Sequence, residues 1–204
     1  MRILIVSALI VAADQITKLM VKGLSLPSLG ISIEGMRYGS SREIFGDFFR
    51  LTYIENPGMA FGIDIGEKPF LAIVSLAASV AIAIYLYQSR NQSLGYRASL
   101  AMILGGAVGN LIDRMFYGVW FGTTGLFHGR VVDFLDVDFF DVAVGPFHLS
   151  RWPVFNIADA SVTIGVLLLL LLHRSAASVG DAVPVKAPST PDPSVPVQHQ
   201  PEQH

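Results

Sequence analysis

The sequence predicts an all-α integral membrane protein: four transmembrane helices with a small extramembrane β-sheet between spans. Three observations lead there. The 204-residue chain is 52% hydrophobic and 15% charged, with a mean hydropathy of +0.54, too apolar for an ordinary soluble domain of this length. Four separate segments approach the roughly 20 apolar residues needed to cross a bilayer core of about 30 Å. The two long connections between them contain stretches rich in β-branched and aromatic residues or alternating in polarity, as half-exposed strands are.

The first segment runs from Ile3 to Val21. Arg2, an apolar run and Val11-Ala12-Ala13 also have the order of a secretory signal with a small-residue cleavage site. The apolar character resumes after Asp14-Gln15 as ITKLMV, however, so a retained spanning helix is the expectation. The connection that follows contains FFRLTYI, Phe48 to Ile54, read as a strand bounded by Asp47 and the Asn-Pro-Gly turn signal. The second segment is Pro69 to Tyr87, and the third is Ala98 to Phe116. GRVVDFLDVDFF, Gly129 to Phe140, alternates apolar and acidic residues and reads as a second strand. The fourth segment, Val154 to Leu172, ends at His173 and Arg174, which suit the head groups.

The short link from Gln88 to Arg97 carries Arg90 and Arg97 and no acid, and Arg2 and Arg174 flank the outer ends of the first and last spans. Basic residues favour the cytoplasmic side, so both termini are expected inside, although Lys22, Arg37, Arg42, Arg130 and Arg151 in the long loops weaken the contrast. Residues 1–174 form the membrane domain in this reading, with loops at 22–68 and 117–153. Residues 175–204, rich in Pro, Ser and Val, read as a disordered tail.

Composition also excludes. A net charge of −2 with no Lys/Arg block gives no surface for nucleic acid. The chain has no cysteine, so disulfides, zinc–thiolate sites and thiol nucleophiles are out. HExxH and GxSxG are absent, and the acids Asp133, Asp136, Asp138 and Asp141 lack the DxDxDG pattern of a calcium loop. No metal or other cofactor is expected. A Lys18–serine dyad would need Ser161, which lies inward of Asp159.

Four polar motifs remain: DQITK closing span one, NPGMAFG before span two, GGAVGNLIDR closing span three and FNIADA opening span four. In an up-and-down arrangement all four fall on the same side. Ionisable groups at hydrocarbon depth are costly, so the gathering of Asp14, Asp113, Arg114 and Asp159 at one face marks a candidate site. Each motif also has a plainer reading. Asp14 and Lys18 form a favourable i,i+4 ion pair, Gly105 and Gly109 allow close helix packing, and NPG is a turn.

Together these motifs, with VVDF and in this order, resemble lipoprotein signal peptidase (signal peptidase II), across most of residues 8–172. The resemblance implies a bacterial inner-membrane aspartic endopeptidase that cuts diacylglyceryl-modified prolipoproteins before the lipidated cysteine, on the periplasmic side. It implies a catalytic pair, Asp133 and Asp159, and a supporting set: Asp14, Lys18, Asn56, Gly58, Asn110, Asp113, Arg114, Asn156 and Ala158. Partners are then the lipidated substrates and membrane lipids, with the chain a monomer. The chain departs from the family pattern in a longer first loop (Leu24 to Ile44), in FYGVWFGTTGLFHG (Phe116 to Gly129) and in the Pro-rich tail. Two other classes compete with it: an ion-coupled transporter, which needs acids along a path across the membrane, and a purely structural tetraspan partner.

Overall fold

The computed structural model describes residues 2–60, 63–64, 68–139, 142–144, 147–149 and 151–180. Its frame is four long helices: α1 (Leu4–Lys22), α2 (Lys68–Gln88), α3 (Leu94–Ile112) and α5 (Ile157–Gly180), with a short α4 (Gly118–Trp120) after the third. The central member is α3, which packs against α1, α2 and α5. Its composition explains that place. Ser99, Ala101, Gly105, Gly106 and Gly109 are small and line buried faces, so neighbouring backbones come close. A Cβ at Gly109 would lie 2.7 Å from Asp14 Oδ2 and 3.2 Å from Ala158 Cβ, so this position joins three helices only as glycine. Ser7 Oγ of α1 donates to Ala101 O at 2.7 Å across the same contact.

Among the described residues, length and apolarity alone qualify two helices to cross a membrane, Leu4–Lys22 and Pro69–Asn91, with a shorter apolar stretch at Ile157–Leu172. The central helix falls short on composition because its neighbours are largely protein, and small or polar residues replace Leu and Ile along it. The last helix continues through Gly180, past the tail boundary expected at Arg174. Ser175 to Gly180 contains no proline to stop it, and the first proline is Pro184. Residues 181–204 of the expected tail lie outside the described residues.

Strands fill the connections. A hairpin pairs β1 (Leu24–Leu26) with β2 (Ile31–Ile33) around a 3₁₀ turn at Pro27–Leu29. A three-stranded antiparallel sheet orders β3 (Ser41–Phe45), β4 (Phe49–Asn56) and β7 (Val131–Val137) as β3-β4-β7. Two short pairs complete the set, β5 (Met59–Ala60) with β6 (Ile63–Asp64) and β8 (Val142–Val144) with β9 (Phe147–Leu149). Both strands read from the sequence exist with shifted ends: β4 runs on through Asn56, and β7 is confined to Val131–Val137. The β4–β7 pairing matters most, since it sets Asn56 opposite Val131 and Ile54 opposite Asp133.

Two apolar clusters lie at opposite ends of α1 and α3. One gathers Ile3, Leu86, Leu100, Ala101 and Leu104. The other gathers Val21, Tyr53, Tyr117, Val132 and Phe134, where α1 and α3 meet the sheet. The buried Asp14 and Lys18 of α1, Asn110 of α3 and Asp113 just beyond it fall between these clusters in sequence.

Candidate active site

The site begins with a buried cation. Lys18 Nζ contacts Asp14 Oδ2 at 2.8 Å, Asp113 Oδ2 at 2.8 Å and Asn110 Oδ1 at 2.9 Å. An ammonium has three protons to donate, and all three are used. Asp14 and Lys18 were equally readable as a solvated pair on a helix surface, but their side chains are 0% exposed. Burial of ions costs several kcal/mol each unless it is offset by pairing and hydrogen bonds, and these offsets are present. Asp14 Oδ1 accepts the Ala158 N–H at 3.0 Å, and Asp113 Oδ2 accepts the Val132 N–H at 3.1 Å.

Gln15, which the sequence reading passed over, completes this cluster. Its Nε2 donates to Asp113 Oδ1 at 2.9 Å and to Gly109 O at 3.1 Å, and its Oε1 accepts from Tyr117 Oη at 3.0 Å. Tyr117 was also missed. The available signal was a polar side chain within an apolar helix, directly after Asp14.

Asp113 to Tyr117 form a π-helical turn closing α3. Such turns shift the following side chains out of α-helical register and recur at functional sites. Here Arg114 Nη1 donates to Ser75 Oγ of α2 at 3.3 Å, and its charge acts on Asp113, Asp159 and Asp133.

The two carboxylates Asp133 and Asp159 come together from β7 and from the first turn of α5. Asn156 precedes that helix and caps it. Its Oδ1 accepts the Asp159 N–H at 2.9 Å, while Asp159 Oδ2 accepts the Asn156 N–H at 3.3 Å, a reciprocal capping box. Because Asn156 Oδ1 is taken by an N–H, its Nδ2 faces the other way, to Asp133 Oδ1 at 2.6 Å and Asn110 Oδ1 at 3.1 Å. Asn110 is oriented by the same logic. Its Oδ1 faces the Lys18 ammonium, which only donates, so its Nδ2 turns to Asp159 Oδ1 at 2.7 Å.

Burial and the negative charge of Asp159 push the Asp133 carboxyl up to about 7, against the opposing hydrogen bond from Asn156, the Lys18 charge and a hydrogen bond from Asn56. Asn56 reaches it from the end of β4 and also accepts the Gly58 N–H at 2.9 Å. That closes the expected Asn-Pro-Gly turn, in which Gly58 takes φ +114° and a Cβ would strike Leu71 of α2. A cavity of about 350 Å³ opens beside Asp159, lined mainly by Phe139, Trp152, Phe155, Thr163 and Ile164.

All eleven residues singled out from sequence thus sit in or beside one contiguous polar cluster. The remaining acids of the series go elsewhere: Arg151 pairs with Asp136 and, at 3.4 Å, with Asp138, while Asp141 and part of NPGMAFG (Phe61 and Gly62) lie outside the described residues. Ser161 Oγ is turned to Ile157 O at 2.8 Å, away from Lys18.

Such a bundle of helices with a small sheet over one end is shared with solved bacterial membrane enzymes. One superposes with a TM-score of 0.65 at 28% identity, covering 91% of this chain and 94% of the other, and a second gives 0.62 at 29% identity, covering 84% and 92%. That class of protein is a bacterial membrane enzyme. The chain belongs to the signal peptidase II family, whose model matches residues 6–174. Among its relatives are the lipoprotein signal peptidases of Chlorobium phaeobacteroides (strain DSM 266), 32% identical over 83% of this chain and 88% of that one, and of Moorella thermoacetica, 36% identical over 83% and 90%.

Proposed function

We propose that the chain is an aspartic endopeptidase of a bacterial inner membrane that removes signal peptides from diacylglyceryl-modified prolipoproteins, cutting before the lipidated cysteine. Membership of the signal peptidase II family supports the substrate class. One observation carries the mechanism: Asp133 and Asp159 are held by two asparagines that also bond each other, with the Asp133 carboxyl raised to about 7.

Two adjacent carboxylates do not both ionise cheaply, so they share a proton. Asp133, whose carboxyl is raised to about 7, is taken here as the member that carries it. In the reading offered here, Asp159 takes a proton from a water molecule as that water attacks the scissile carbonyl carbon, and protonated Asp133 donates to the carbonyl oxygen. The tetrahedral intermediate then collapses, with the proton held by Asp159 passing to the departing amine and Asp133 recovering its own from the intermediate's hydroxyl. No covalent enzyme intermediate forms, and no step requires a metal. Arg114 and Asn56 border the pair from α2's side and β4's end, where a peptide backbone would be held. Asp14, Lys18, Asp113 and Ala158 act indirectly, by fixing Asn110 and the backbones of Val132 and Ala158.

The same reading has all four long helices crossing the bilayer, both termini in the cytoplasm, the dyad at the periplasmic boundary and the chain working as a monomer. The test is cleavage of a diacylglyceryl-modified prolipoprotein by purified protein, alongside Asp133→Asn and Asp159→Asn. Wild type is expected to cut and both variants to cut roughly 10²–10⁴-fold more slowly. A variant that cuts at the normal rate removes that residue from the dyad, and a wild type that cuts nothing removes the function.

A further inference from the structure

The longer first loop contributes nothing to the polar cluster between Leu24 and Ile33. There the chain forms the β1–β2 hairpin, in the register Leu24↔Ile33, Ser25↔Ser32, Leu26↔Ile31. Side chains alternate across a strand. Leu24, Leu26, Ile31 and Ile33 therefore share one face, and Ser25 and Ser32 share the other. Among the described residues neither strand pairs with any further strand. Leu26, Ile31 and Ile33 are left 38%, 41% and 38% exposed. An isolated hairpin this short is marginal in water, and an unpartnered apolar face adds to the difficulty.

Its position identifies what covers that face. The hairpin starts directly after Gly23, at the end of α1, and it is fixed there. Gly35 lies backbone to backbone against Lys22 and Gly23, with no room for a Cβ, and the Met36 N–H donates to Val21 O at 2.7 Å. The apolar face is thus mounted where α1 leaves the bilayer.

We propose that β1–β2 is a membrane-seated hairpin, its Leu24, Leu26, Ile31 and Ile33 face resting on the bilayer at head-group depth and its serines turned to water. Depth is limited by the hairpin's outer edges, whose N–H and C=O groups have no strand partner; hydrocarbon does not tolerate them but the wet interface does. From Gly23 to Gly35 the only charged residue is Glu34. The contact is therefore apolar insertion and not attraction to anionic lipid. The inference rests on the reading of α1 as a membrane span, and goes beyond the proposed peptidase activity.

The absence of cysteine makes single-site spin labelling direct. The full chain, reconstituted in phosphatidylcholine bilayers, would carry a nitroxide at Leu26→Cys, Ile31→Cys, Ser25→Cys or Ser32→Cys, with Ile16→Cys on the 58% exposed side of α1 as the span control. Collision with oxygen, which concentrates in lipid, is compared with collision with a water-soluble nickel chelate. Labels at 16, 26 and 31 are expected to favour oxygen and labels at 25 and 32 the chelate, a several-fold change in ratio between adjacent positions 31 and 32. Adding anionic lipid should leave that ratio unchanged. Equal chelate access at 31 and 32 overturns the inference by placing the hairpin in water, and shielding of 26 and 31 from both reagents overturns it by showing a protein cover. A strong dependence on lipid charge overturns the apolar contact, while chelate access at position 16 overturns the span and the hairpin together.

Discussion

Two clusters of carboxylates lie side by side here and are built on opposite rules. Around Lys18, Asp14 and Asp113 each meet the ammonium directly, and Gln15, Ala158 N–H and Val132 N–H take up further lone pairs. Around Asn156, Asp133 and Asp159 face each other's charge with only neutral amides joining them. The first cluster has a cation set between its two carboxylates and its donors spent. The second is left with a proton that two groups compete for, and with a cavity open beside Asp159. The contrast separates burial that holds a structure from burial that prepares chemistry, although one asparagine, Asn110, belongs to both.

The sharpest way to test that division is to neutralise the second cluster. Asp133→Asn and Asp159→Asn are expected to lower the cleavage rate by roughly 10²–10⁴-fold, the usual worth of a general acid or base, while the thermal midpoint holds or rises because the cost of burying one carboxyl beside another is relieved. A midpoint that falls steeply would place the pair with the structural cluster. Removing the cation should do the reverse. Lys18→Met leaves two buried carboxylates without the cation between them, a loss of about 3–5 kcal/mol, read as a lower unfolding midpoint in detergent; a midpoint like that of wild type would refute the structural role given to this cluster.

The pH dependence is next in size. Asp133 is protonated below about 7 and loses its proton above it, so kcat is expected to fall by up to tenfold per unit as pH rises through that value. The linked stability has the same sign. A carboxyl raised on folding binds a proton that the unfolded chain releases, so its contribution is full in acid below the ordinary aspartate range, is lost as pH rises from there to about 7, and changes no further above that. Both trends should vanish in Asp133→Asn, the first because activity is lost and the second because the titrating group is gone. The smallest effect is expected at the rim of the first cluster. Tyr117→Phe removes only the hydroxyl that donates to Gln15, costing about 1 kcal/mol in the unfolding free energy, with the pH profile of cleavage unmoved.

The sequence carried much of this because polar residues are conspicuous against an apolar background. Asp14, Lys18, Asn110, Asp113 and Asn156 stood out for that reason, and their gathering at one face followed from simple alternation of helices. Asp133 did not stand out among its acidic neighbours: alternation along β7 sets it on the face opposite Asp136, but which face meets the cluster is known only once the sheet partner is, and that partner is distant β4. Gln15 was hidden between two charged residues that drew attention first. The hairpin at Leu24–Ile33 and the π-turn after Ile112 are likewise set by long-range fit: the one by the backbone contact of Gly23 with Gly35, the other by the packing of Gly129 against Asp113 O. No local propensity reports either.

The cap on the last long helix has a consequence for the order in which the molecule becomes competent. Asn156 starts that helix, fixes Asp159 and reaches across to Asp133 and Asn110 with the same side chain. During synthesis Asp133 and Asn110 emerge before it. A nascent chain that lacks its final helix therefore has one carboxylate, unplaced, and no second one to share a proton with. On the proposed mechanism, hydrolytic competence arrives in a single event, the docking of the last segment, so the growing polypeptide would carry its own safeguard against premature proteolysis.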